Sequence, residues 1–207
     1  MAPRARPSSD VAFTGRVKAI QERLGSRDGY AGMEREGGFA TEIDGDLAAF
    51  IGEQRSLFLA TASAAGQPYV QHRGGPPGFL RVLDPRTLAF ADFRGNRQYI
   101  SLGNLSENPL VQLFLIDYVN RRRVKIWGEA KVIEDDAALV ARLAPAGYTA
   151  RPERPIVIHV TAWDANCPQH IPLRLEAADV EAALARRDAR IAELEAELEA
   201  LRRSGRT

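Results

Sequence analysis

Residues 56–79 read SLFLATASAAGQPYVQHRGGPPGF. The first eight, Ser56 to Ser63, are apolar, β-branched and small, and predict a strand. Ala64 to Gln67 predict a turn, with Gly66 free to take a positive φ. Pro68 to Arg73 return as a second strand. Alternation along that strand puts Val70 and His72 on one face and Gln71 and Arg73 on the other. Gly74 and Gly75 then remove side chains, so that the backbone can approach a flat ligand and offer its N–H groups. Pro76 and Pro77 stiffen the exit. The same stretch also reads as a wide turn with exposed polar residues.

The pattern continues outward from this hairpin. Phe79 to Leu83 and Thr87 to Phe93 form a second strand pair around Asp84-Pro85-Arg86. Pro109 to Val119 and Arg122 to Glu134 form a third, turning at Asn120-Arg121, and Pro155 to Trp163 is a final strand. Long strands joined by short links predict an antiparallel sandwich or barrel, mainly β with flanking helices. Short helices are predicted over Phe13 to Leu24 (Phe13, Val17, Ile20 and Leu24 on one face), from an Asp44 or Asp46 cap through Ile51 (Leu47, Phe50 and Ile51 inward), within 94–109 and over Asp135 to Leu143. Residues 1–10 read as a flexible tail and 25–38 as a Gly-rich link. The end differs: Val180, Leu184, Ile191, Leu194, Leu198 and Leu201 follow a heptad, with Arg187 breaking one slot. That helix reads equally as a dimer coiled coil or as a plain amphipathic cover. The expected organisation is a tail and short helix over 1–44, a barrel domain over 45–176 and the heptad helix over 177–207.

The bulk composition bounds the possibilities. The chain has 207 residues, a formal net charge of +1, 45% hydrophobic and 27% charged residues. This is the balance of a globular domain with appendages. A near-neutral charge gives no case for nucleic acid or an anionic membrane surface. One cysteine, Cys167, excludes an intrachain disulfide framework. No apolar run approaches the roughly 20 residues of a membrane span, and no secretory h-region follows the first residues. A cytoplasmic location is expected.

Three further stretches carry candidate chemistry. In ADFRGNRQYISLGNL (91–105), a strand end runs through Gly95-Asn96 into an expected helix beginning at Arg97 and Gln98, with Ser101 one turn on. Helix N-termini attract anions, and Arg97 adds a fork suited to phosphate; an Asn-capped structural helix is the alternative. In NRRRVKIWG (120–128), Arg123 and Lys125 share a strand face and can meet an anion, whereas Arg121 and Arg122 read as a solvated hairpin tip. In WDANCPQHIPLR (163–174), Cys167 and His170 are too few ligands for zinc, and the prolines fix a loop. No metal site is predicted, and GxGxxG is absent here.

Taken in order, FLATASAAGQPYVQHRGGPPGF, LAFADFRGNRQYISLGNLSENPLVQLFL and RRVKIWGEAKVI resemble the pyridoxamine 5'-phosphate oxidase-like flavoproteins, the FMN-binding split-barrel family, over roughly residues 45–170. The resemblance extends to a bacterial subgroup with RGGPPGF, DFRGNRQY and NCPQHI signatures. It implies a six-stranded antiparallel split barrel that dimerises, with FMN at the interface. Gln71, His72, Arg73 and Gly74 would lie along the flavin ring and ribityl chain, and Ala91 and Asp92 at the strand end that approaches it. Asn96, Arg97, Gln98 and Ser101 would fall in the phosphate-holding region. Arg123 and Lys125 would be supplied across the interface. The implied activity is an FMN-dependent oxidoreductase acting on a small molecule, with NAD(P)H as a potential donor. Hydride transfer at a flavin demands no acid–base residue, so no catalytic side chain is assigned. The chain departs from the vitamin oxidases after NCPQHIPLRL, where only His170 and Arg174 answer to their substrate-gripping segment. Haem or deazaflavin in the same fold, with His72 or His170 as the iron ligand, or a non-catalytic flavin-binding protein, are the alternatives.

Overall fold

The structure, a computed structural model, describes residues 6–204. Residues 1–5 of the expected tail and 205–207 of the expected helix lie outside the described residues. Two compact units emerge, one of residues 6–117 with 122–168, the other of 118–121 with 169–204.

The first unit is built from hairpins. β1 (Ser56–Ala62) pairs antiparallel with β2 (Pro68–Gly74), Ser56 opposite Gly74 and Ala62 opposite Pro68. Gly66 takes φ 85° in the turn, and its N–H reaches the Ser63 carbonyl at 2.8 Å. β3 (Leu80–Asp84) pairs with β4 (Thr87–Phe93), and β5 (Leu110–Asp117) with β6 (Arg122–Val132). β7 (Pro152–Asn166) is the longest strand and pairs with both β6 and β4. The sheet order is β2-β1-β5-β6-β7-β4-β3, wholly antiparallel. It has seven strands, as the residue pattern lays out, and one more than the resemblance implies. Among the described residues, the short edge strand β3 has β4 as its one strand partner.

Strict alternation buries Leu57 and Leu59 of β1, Val111, Leu113 and Leu115 of β5, and Val124 and Ile126 of β6. They meet Leu88 and Phe90 of β4, and Ile156 and Ile158 of β7, in one cluster. Each such side chain contributes about 1.5–3 kcal/mol of gross burial. Helix α3 (Gly45–Glu53) adds Leu47, Phe50 and Ile51 to the cluster; Asp44 caps it by accepting the Leu47 N–H at 2.8 Å. β4 is buried on both faces. Ala89 and Ala91, on its second face, are covered by Leu143 and Leu139 of α5 (Ala137–Leu143), which Asp136 caps.

The N-terminal segment differs from expectation. Helix α1 (Gly15–Arg23) buries Gln21, while Ile20 and Leu24 are exposed. A second helix, α2 (Arg27–Arg35), occupies the expected Gly-rich link. Its Glu34 binds Arg27 and, at 3.0 Å, Lys18. Those bonds, Arg27 first, hold the Glu34 carboxyl below the usual range despite its desolvation. Phe13 lies edge-on to Tyr30 and Phe39, and Phe39 stacks on Trp127 of β6 at 5.3 Å. The expected tail is ordered at Ser8–Val11, a short 3-10 turn in which Ser9 is fully buried. The second unit is dominated by α6 (Ala177–Ser204), a single helix.

β6 and β7 shift register between Trp127 and Gly128, where Gly128 faces Val160 and Trp127 faces Ala162. Thr161 is the extra residue of this bulge. A Cβ on Gly128 would sit 2.4 Å from the His159 carbonyl oxygen. Gly128→Ala is therefore expected to destabilise the fold by about 1–3 kcal/mol, read as a lower urea midpoint with an unchanged slope; an unchanged midpoint refutes the close approach.

Candidate functional site

Strand β2 projects Gln71 and Arg73 from one face, as alternation requires. Asp92 comes from the end of β4. The Arg73 guanidinium donates to Asp92 Oδ1 at 2.5 Å, and both side chains are largely buried, 15% and 6% exposed. This ion pair links one edge strand of the sheet to the strand next to its other edge. Ser101, in the first turn of α4 (Ile100–Glu107), donates its hydroxyl to Gln71 Oε1 at 2.8 Å. These groups line a cavity of about 40 Å³ together with Asn96, Arg97, Tyr99 and Glu153. Six of the sequence-derived candidates, Gln71, Arg73, Asp92, Asn96, Arg97 and Ser101, thus converge.

The loop that brings Arg97 there is strained. The helix begins at Ile100 rather than at Arg97 as the sequence pattern predicts, because Arg97 and Tyr99 take φ 63° and 56°. Left-handed conformations at residues other than glycine cost on the order of 1 kcal/mol each and concentrate at ligand sites. Asn96 Oδ1 accepts the Gln98 N–H at 3.3 Å, and Arg97 Nε donates to the Tyr99 hydroxyl at 3.3 Å. Over the Tyr99 ring lies the Arg154 guanidinium, 5.7 Å from its centroid.

Two buried groups give the cradle its electrostatics. The Asp92 carboxyl stands above the usual carboxylate range, because burial outweighs the pull of Arg73 and Arg154. Arg73 Nε is buried without a hydrogen-bond partner among the described residues. A buried cationic donor with one N–H unmet is a demand for an acceptor.

The other candidates lie elsewhere. His72 is on the opposite face of β2, its Nε2 2.6 Å from Ser56 Oγ and its ring edge-on to Phe58. Gly74 and Gly75 serve the packing of the strand exit. A Cβ on Gly75 would lie 2.6 Å from that of the buried Phe79, and its N–H binds the Arg55 carbonyl at 3.1 Å. The prolines set a β-turn over 76–79, with Gly78 at φ 83° and the Phe79 N–H on the Pro76 carbonyl. Ala91 is enclosed under α5. The Gln98 side chain is exposed and outside the cradle lining. Arg123 and Lys125 face Asn166 and Asp164 across the β6–β7 ladder. There the Asp164 carboxyl is raised by burial, against the pull of Lys125. Cys167 is exposed, and His170 is left-handed at φ 63°.

Sequence reasoning missed Tyr99 and Glu153. Glu153 faces Arg154 at 3.2 Å and Arg94 at 3.9 Å. The only cue was the charge run RPER (151–154), just ahead of the expected final strand. Tyr99 and Leu102 also border a larger cavity, about 820 Å³, lined by Leu105, Pro109, Ala130 and Val132 and by the polar Lys131, Arg154 and His159.

The profile of the family described as pyridoxamine 5'-phosphate oxidase matches residues 43–167, more than half of the chain and all of the cradle. The chain belongs to that family. Among solved structures, HupZ from Group A Streptococcus is 18% identical with a TM-score of 0.49, covering 64% of this chain and 99% of its own. An FMN-binding protein from Syntrophomonas wolfei is 13% identical with a TM-score of 0.48, covering 74% and 98%. The haem storage protein HutZ from Vibrio cholerae is 18% identical with a TM-score of 0.38, covering 58% and 89%. No curated protein matches.

Removing one member of the Arg73–Asp92 pair leaves the other buried and uncompensated. Arg73→Met is expected to cost about 3 kcal/mol at neutral pH, and the double change Arg73→Met, Asp92→Leu to recover most of it. Asp92 is raised in the fold, so its ionisation opposes folding once Arg73 is gone. The Arg73→Met penalty is therefore full above the folded pKa, fades as pH falls from there toward the unfolded carboxyl's pKa of about 3.9, and is gone below it, where Asp92 is protonated in both states. Denaturant titrations at several pH values would read this; a penalty constant with pH contradicts it.

Proposed function

We propose that this protein binds FMN in a homodimer and acts as an FMN-dependent oxidoreductase on a small molecule. The observation that carries the proposal is the convergence on one cradle of Gln71, Arg73, Asn96, Arg97 and Ser101, with Arg73 Nε buried and unmet. The residues present fit the phosphate end of such a cofactor. Arg97 offers a guanidinium at the rim, Asn96 and Ser101 offer neutral hydrogen-bonding groups, and Gln71 keeps an amide nitrogen as donor. Bound FMN would supply hydride-level redox chemistry, which these side chains could not perform themselves.

The cradle is small. About 40 Å³ suits a phosphate-sized group and is far below the roughly 300–1,000 Å³ of sites that enclose a whole organic ligand. The ring must therefore find its walls beyond the cradle, and a second copy is the natural source. Half-buried Phe58 and Phe114 stand with centroids 6.5 Å apart on the outer face of β1 and β5, beside His72 and the 60%-exposed Val70. An apolar sheet face of this kind favours self-association. In such a dimer, Arg123 and Lys125 of one copy would complete the site of the other. The 820 Å³ cavity, sharing Tyr99 and Leu102 with the cradle, has the size for a substrate beside the cofactor.

The visible spectrum of the purified protein, before and after NADPH, tests the proposal. Two flavin bands that bleach are expected. A Soret band would transfer the site to haem, and a colourless protein that takes up no FMN would refute the reading. Arg97→Ala separates the phosphate role: FMN affinity should fall on the order of tenfold while riboflavin affinity holds. Equal losses for both ligands would remove Arg97 from phosphate binding.

A further inference from the structure

α6 is a continuous helix with no buried residue. Its apolar residues Val180, Leu184, Ile191, Leu194, Leu198 and Leu201 are 38–68% exposed. They recur at alternating steps of four and three residues once Arg187 is counted in its slot. With Leu184, Ile191 and Leu198 at the a positions of a heptad, Val180, Arg187, Leu194 and Leu201 fall at d. Alanines 182, 189 and 196 lie on the opposite side, at f. Such a seam needs a partner that repeats with the same period, and the flanking charges say which.

We propose that α6 pairs in parallel and in register with α6 of a second copy, as a two-stranded coiled coil. In that alignment each g residue faces the e residue of the following heptad on the other helix. Arg190 then faces Glu195 of the second copy, and Glu197 faces Arg202; twofold symmetry repeats both pairs. Arg190, which binds Glu193 of its own helix at 2.8 Å, lies at the seam where either carboxylate can take it. An antiparallel alignment matching a with d pairs Arg190 with Glu197 and Glu181 with Arg202, but it brings Asp188 opposite Glu195 in mid-helix, a repulsion that the parallel alignment lacks there. The parallel alignment has a like-signed match only at the open end, where Glu176 precedes the helix. Ile191 at a beside Leu194 at d is the combination that favours two strands. Arg187 at d enters a hole that includes Asp188 of the second copy, so its charge is met; what disfavours a slip by one heptad is the flank, where Arg190 would then meet Arg202 and Glu197 would meet Glu195. A single polar core residue of this kind costs the seam stability.

Three heptads are marginal in isolation. Dimerisation of the sheet, as proposed above, would hold the two helices at an effective concentration in the millimolar range. The orientation and register follow from α6 itself and stand apart from the flavin reading.

The test uses the full chain in a Cys167→Ser background with one new cysteine. Leu201→Cys at d should cross-link to its counterpart under mild oxidation in most molecules. Ala196→Cys at f should not. Antiparallel pairing would separate the two 201 positions by about 25 Å, at 1.5 Å per residue, and abolish the cross-link. A Leu201→Cys yield no higher than that of Ala196→Cys overturns the proposal, whatever else covers the helix. Adding Arg187→Leu should tighten the pair, lowering the dimer dissociation constant at least tenfold; no tightening would remove Arg187 from the seam. FMN uptake is measured on the same samples. Flavin bound without a cross-link sinks the coiled coil alone, and a cross-link without flavin sinks the flavin proposal alone.

Discussion

Everything in the sheet hangs on β7. Its ladder to β6 runs from Ile156 to Asn166, and its ladder to β4 from Pro152 to His159. Among the described residues it is the only strand that joins the run β2-β1-β5-β6 to the pair β4-β3. Strands 56–93 are local hairpins, but β4, among the described residues, reaches the rest of the sheet only through a partner roughly sixty to seventy residues later. That pairing carries a large loop-closure cost and must be repaid by burial. Ile156, Ile158, Val160 and Ala162 are essentially inaccessible to solvent and supply it. The bulge at Trp127 and Gly128 is where β6 and β7 change step, and Gly128 is the residue whose missing side chain lets the two backbones meet.

The Arg73–Asp92 pair is the second long-range tie, and it defines the site. Burial of both groups is unfavourable unless each is paired, and Asp92 remains above its ordinary range even so. The pair therefore does more to fix which side chains face each other than to stabilise the fold. With Ser101 holding Gln71, it places β2, β4 and α4 around one small volume. The left-handed backbone at Arg97 and Tyr99 sits at the rim of that volume, and its strain is countered by Tyr99 bridging Arg97 and Arg154.

How much of this was legible in the chain depends on the range of the interaction. The strand from Thr87 to Phe93 was read with its observed limits, and the first hairpin to within a residue, because period-two alternation and turn residues are local signals. α2 was not legible. Gly29 and Gly32 argue against a helix, and what holds it is Glu34 meeting Arg27 and Lys18, the latter from another helix. The start of α4 was misplaced for a related reason: propensity does not anticipate arginine and tyrosine in left-handed conformations. The three-residue extension of β7 toward Pro152 crosses Pro155, whose missing N–H usually marks a strand boundary.

The site shows the same division. Alternation alone put Gln71 and Arg73 on one face and His72 on the other. It could not say which face would meet Asp92, since that follows from the order of strands. Nor could it say what the two glycines were for. The sequence-level reading of Gly74 and Gly75 as a flat approach for a ligand competed with a structural turn, and Phe79 favours the turn: with its side chain buried against Gly75, the chain has no room for a Cβ there. The exit from β2 is therefore shaped from inside the core, by an aromatic ring that needs a glycine beneath it. That packing fixes the last residues of β2, so that Arg73, one residue before the glycines, meets Asp92 with one N–H while its Nε stays buried without a partner among the described residues.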